Sequence, residues 1–67
     1  MSKITPAAAR VANKLTQEQM ADKLGVSRIL IWQLENGKTE FKPLYLYAYS
    51  AVTGFSTDDF ILPERAT

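Results

Sequence analysis

A chain of 67 residues carrying eight Lys or Arg against seven Asp or Glu, with no cysteine and no histidine, has room for one small core and little scope for catalysis. Such a chain buries only about 60% of the surface its unfolded form exposes, so one domain over 1–67 with modest stability is expected. Disulfides, thiolate metal sites and thiol nucleophiles are excluded, and the commonest general base is missing.

In chain order, helix signals come in close succession and no segment shows a period-two strand pattern. Thr5 followed by Pro6 reads as an N-cap and first helical position, since proline's missing N–H is not needed there. A first helix over about 6–13 follows, carried by the run Ala7 to Ala12. Thr16 and Gln19 stand at capping-box spacing and open a second helix over 17–24, with Met20, Ala21 and Leu24 along one face. Gly25 falls where a helix ends in a left-handed residue. Ser27 caps a third helix over 28–36, closed by Gly37.

Lys38 to Lys42 is a polar loop, and a fourth helix over about 44–53 starts near Pro43 and ends at Gly54. Ser56 caps a short fifth helix over 57–62, with Asp58 and Asp59 near its positive end and Pro63 as its stop. A frayed polar tail, Glu64 to Thr67, completes the chain. Capping and dipole effects account for Asp58 and Asp59, the one adjacent carboxylate pair, and no glycine-rich phosphate loop is present. The chain is therefore read as a non-enzyme without a metal or cofactor.

The residues from Gln17 to Asn36 form a constellation. Two short helices that cross steeply need a small residue where their backbones approach, which Ala21 supplies, and a tight turn, which Gly25 supplies. Val26, Ile31 and Leu34 then give the apolar face that locks onto Met20 and Leu24. This is a helix-turn-helix pattern. Each match alone is weak, and the whole set at fixed offsets is strong.

With the flanking segments included, the chain resembles the Cro/CI (XRE) family of phage and bacterial regulators. The resemblance covers about Arg10 to Leu62 and is most specific at Leu34-Glu35-Asn36-Gly37-Lys38-Thr39. Leu15-Thr16-Gln17 and Gly54 to Asp59 fit as well. It implies an all-α, compact five-helix lambda-repressor-like fold whose third helix enters the DNA major groove. It also implies roles. Gln17 matches a phosphate-contacting glutamine that braces the reading helix, although a plain capping role also suits it. Arg28, Ile29 and Gln33 match base-reading positions, and Ser27 falls in the same DNA-binding set. Arginine can bridge guanine O6 and N7, glutamine can pair with adenine, and an aliphatic group can pack on a thymine methyl. Asn36 and Lys38 match phosphate contacts, although a solvated loop lysine also suits Lys38, and Arg10 with Glu35 matches a structural salt bridge.

The third helix departs from the family in being unusually apolar. Ile29, Leu30 and Trp32 exceed what the core needs. They are either packed, with Trp32 under the first helix or the loop and Leu30 beneath the second helix, or they form an exposed patch that marks a binding surface. Between Gln17 and Lys38 the cations Lys23, Arg28 and Lys38 balance Glu18, Asp22 and Glu35, a neutral face. Tyr45 and Tyr49 share a helix face while Tyr47 points elsewhere, so at least one tyrosine is expected at the surface.

Two functions follow from the resemblance. One is a regulator of a phage-type lysis–lysogeny switch that reads double-stranded operator DNA, as a homodimer where the operator is palindromic. The other is an antirepressor that grips a cognate CI-type repressor through Arg28, Ile29, Leu30, Trp32 and Gln33. No apolar run approaches the roughly 18 residues of a membrane span, so no membrane partner is expected and the bacterial host cytoplasm is the expected location.

Overall fold

The computed structural model describes residues 3–63, and the expected polar tail 64–67 lies outside them. Four α-helices run in order: α1 Pro6–Ala12, α2 Gln17–Leu24, α3 Arg28–Glu35 and α4 Pro43–Thr53. A single 3-10 turn, Thr57–Asp59, follows.

The helix starts sit where their caps dictate. Thr5 Oγ1 accepts from the Ala8 N–H at 3.1 Å, and Ser27 Oγ from the Leu30 N–H at 3.1 Å. At Thr16 the capping box is complete: Gln19 N–H donates to Thr16 Oγ1 at 3.0 Å, and Thr16 N–H donates to Gln19 Oε1 at 2.9 Å. Helix α4 opens on Pro43, the expected start, with Lys42 as a backbone-only cap. Helices α1 and α3 each end one residue early, with Asn13 and Asn36 as C-caps. Beyond Asn13, Lys14 takes a left-handed φ of 59°, a conformation that its side chain does not advertise.

The expected fifth helix over 57–62 is corrected to that one 3-10 turn, so among the described residues the five-helix count becomes four. Ser56 still caps the turn, its Oγ accepting from the Asp58 N–H at 3.3 Å. Phe60 then leaves helical geometry, at φ −81° and ψ 133°, and its side chain enters the core. The backbone on either side of it pairs with Ile4: Ile4 N–H donates to the Asp59 carbonyl at 2.9 Å and Ile61 N–H to the Ile4 carbonyl at 2.8 Å. With Pro63 restricting Leu62 to extended backbone, too few residues remain to complete a helical turn, and pairing with Ile4 satisfies the groups instead.

The core gathers Ala9 from α1, Met20 and Ala21 from α2, Ile31 and Leu34 from α3, Tyr49 from α4, and Phe60. Half-buried side chains close around it, among them Ile4, Leu15, Val26, Phe41, Leu46 and Phe55. Helix α2 packs chiefly on α3, and α1 on α4. The tyrosines separate as well: Tyr49 is fully buried, Tyr45 half-buried and Tyr47 65% exposed.

Candidate nucleic-acid interface

The turn between α2 and α3 is built from Gly25 and Val26. Gly25 sits at φ 71°, and the Val26 N–H returns to the Ala21 carbonyl at 3.0 Å, closing α2 before Ser27 opens α3. Ile31 and Leu34 point α3 into the core, which turns Arg28, Ile29 and Trp32 outward. At its far end α3 closes in a Schellman pattern: Gly37 takes φ 70° and the Lys38 N–H donates to the Gln33 carbonyl at 2.9 Å.

Each residue singled out from the sequence now has a place. Arg28 and Ile29 are exposed at the start of α3, Gln33 is half-buried one turn further on, and Ser27 and Lys38 are exposed at either end. Asn36 is exposed too, with its amide spending one N–H on the Trp32 carbonyl at 2.8 Å. Gln17 is half-buried, and its amide donates to Glu35 Oε1 at 3.3 Å, so one side chain links the start of α2 to the end of α3. An open cleft of about 740 Å³ runs past Gln17, Glu18, Asp22 and Arg28. Arg28 also borders a smaller notch of about 230 Å³ with Ile29 and Trp32. Ile29 is 64% and Trp32 44% exposed, whereas Leu30 is half-buried.

Glu35 anchors the helix from inside. Its side chain is only 3% exposed, and Arg10 meets it in a two-pronged ion pair, Nε to Oε2 at 2.8 Å and Nη2 to Oε1 at 3.1 Å. A third guanidinium nitrogen, Nη1, donates to the Leu15 carbonyl at 2.7 Å. The Tyr49 hydroxyl adds a further bond to Oε2 at 2.7 Å. Among the described residues no buried side-chain polar atom lacks a partner.

Burial first, and then the bond to Glu35 and that carboxylate's charge, hold the Tyr49 phenol well above the ordinary tyrosine range, with Arg10 acting in the opposite direction. It therefore remains a proton donor across physiological pH. The part played by Tyr49 was not recognised from sequence. A usable signal was there: Leu46, Tyr49 and Thr53 lie at three- and four-residue spacing, which marks one inward face of α4.

Because Glu35 is buried and paired, it does not count toward the outer charge. Between Gln17 and Lys38 the exposed charges are Lys23, Arg28 and Lys38 against Glu18 and Asp22. The face expected to be neutral is thus mildly positive. Among the described residues no three carboxylates are grouped to hold a metal ion, and no helix is long and apolar enough to cross a membrane.

Two short helices joined through a left-handed glycine, the second capped at both ends and aimed outward from a braced base, define a helix-turn-helix protein. A family model described as helix-turn-helix matches residues 7–60. The chain belongs to this family, the XRE type that includes Cro/CI regulators, whose members are DNA-binding transcription regulators. No curated protein matches the chain.

Proposed function

We propose that this protein regulates a phage-type lysis–lysogeny switch in the bacterial cytoplasm by reading operator DNA with α3. The observation that carries this reading is the outward presentation of Arg28 and Ile29 at the start of a helix whose opposite side is locked into the core. In the major groove Arg28 reads a guanine, Ile29 packs on a thymine methyl and Gln33 pairs with an adenine. Gln17, Ser27, Asn36 and Lys38 hold the flanking phosphates and set register without reading sequence. A palindromic operator is occupied by two copies, with half-sites about 34 Å apart.

A gel shift on operators selected from random DNA tests the reading. Arg28→Ala is expected to lower affinity by about tenfold or more and to relax selection at one base pair. A variant that binds and selects like the wild type would remove Arg28 from the readout.

A second reading has its own observation. Ile29 and Trp32 leave an apolar, cation-edged notch on the outer side of α3, which suits a protein surface better than a phosphate backbone. In that reading the protein is an antirepressor, and Arg28, Ile29, Leu30, Trp32 and Gln33 cover the DNA-binding surface of a cognate repressor. Titrating that repressor with wild type and with Ile29→Ser discriminates. Unchanged affinity in the variant counts against the strip, and tight operator binding by the wild type alone favours the first reading.

A further inference from the structure

We propose that Tyr49 is a positioning residue for DNA reading: it fixes both the end of α3 and the loop that follows, and so sets the pose of the reading surface. The DNA arm of this inference rests on the operator-binding reading above.

Glu35 is the last residue of α3, and its carboxylate is where the other three helices meet the reading helix. Arg10 comes from α1, Gln17 from α2 and Tyr49 from α4. The three contributions are not equivalent. Arg10 grips both oxygens, Gln17 adds to Oε1, and Tyr49 adds to Oε2. Two points held on Oε2, from α1 and from α4, leave the carboxylate little freedom to swing about its own side-chain torsions. A hydroxyl donating to an ionised oxygen at 2.7 Å is a short, charge-assisted bond, stronger than a neutral one.

The same side chain has a second grip. The Tyr49 ring meets Phe41 edge-on, with centroids 5.2 Å apart and planes at 66°. Phe41 lies in the segment between Gly37 and Pro43 that carries Lys38. That segment is therefore pinned at two places, at its start by the Lys38 N–H on the Gln33 carbonyl and near its end by Phe41 on Tyr49. Lys38 projects from the first of these pins. A single residue of α4, itself fully buried and unable to touch DNA, thus governs where the last turn of α3 and the Lys38 ammonium stand.

The test separates the hydroxyl from the ring. Tyr49→Phe keeps the core volume and the Phe41 contact and deletes the bond to Glu35. Phe41→Leu keeps the hydroxyl and deletes the edge contact. Without DNA, amide hydrogen exchange followed by NMR is expected to rise about tenfold at the hydrogen-bonded amides of Glu35, Asn36 and Lys38 in each variant, with α1 and α2 protected as in the wild type. With selected operator DNA at fixed salt and well below the melting temperature, Tyr49→Phe is expected to lose about five- to tenfold in specific affinity. Affinity for random DNA should fall by less, because it shares only the Lys38 phosphate contact and not the base readings of α3.

Exchange that rises equally in all helices reduces Tyr49 to a general core residue and overturns the proposal. So does exchange at Glu35, Asn36 and Lys38 that does not change, or a loss of affinity equal for specific and random DNA. A wild type without specific DNA binding defeats the operator reading alone, and the exchange experiment still decides the role of Tyr49.

Discussion

At Glu35 one carboxylate serves three donors, so its removal strands an arginine, a phenol and an amide together. Glu35→Ala leaves the Arg10 guanidinium, 12% exposed, without its counter-charge. Breaking a buried pair from one side costs about 3–5 kcal/mol, a large part of what a domain of this size has in hand. A urea melt of the variant is expected to show most of that loss, and a midpoint equal to the wild type's would refute the hub. Tyr49 makes a pH-dependent contribution of definite sign. Its folded-state ionisation is raised by burial and by the bond to Glu35, so the stabilisation is complete below the unfolded tyrosine value of about 10 and is lost as pH climbs beyond it. Urea melts of wild type and Tyr49→Phe should therefore differ most at pH 8 and converge above about pH 10. Arg10 and Glu35 were legible as a pair through family resemblance. Tyr49 was harder to place, because α4 has no charged side chain from Pro43 to Thr53 to mark its outer side and orient the helix.

Among the elements, the starts of helices were readable and their ends less so. Thr5, Thr16 and Ser27 each accept a backbone N–H three residues on, a local chemistry written in the residue types themselves. Gly25 and Gly54 announce their left-handed caps in the same way. The end of α1 carries no such mark, since the left-handed position falls on Lys14. There a side chain bears strain of roughly 1 kcal/mol that glycine avoids, partly offset by glycine's greater freedom in the unfolded chain. Lys14→Gly is expected to raise stability by about 0.5 kcal/mol, which would lift the melting temperature by roughly 2–4 °C. A lower melting temperature would show that Lys14 is held by more than its backbone. The failed fifth helix has a different origin. Ser56, Asp58 and Asp59 are sound start signals, but the pairing that ends the turn joins Phe60 to Ile4 across nearly the whole chain. No window of local sequence contains both partners.

For the molecule as a whole, the exposed charge of the helix-turn-helix decides how DNA is held. On the operator reading proposed above, three exposed cations offset by two exposed carboxylates would leave only a few phosphates neutralised. Each neutralised phosphate contributes a slope of about −0.9 in log affinity against log salt, so that reading predicts a slope of magnitude no larger than about 3 for one chain, measured by fluorescence anisotropy. A much steeper slope would place further cations on the DNA. The outer side of α4 adds a second character to the surface, since Leu44 is 70% exposed on a helix without charge. The bridge between Ile4 and Phe60 has a mechanical consequence. The two segments run parallel, and one lies near each end of the chain. Tension drawn outward along the polypeptide pulls them in opposite directions along their common axis. The two hydrogen bonds at Ile4 are then loaded together, in shear, and neither can be peeled away before the other. A chain that local folding makes from short helices is thus latched where a pull would first arrive.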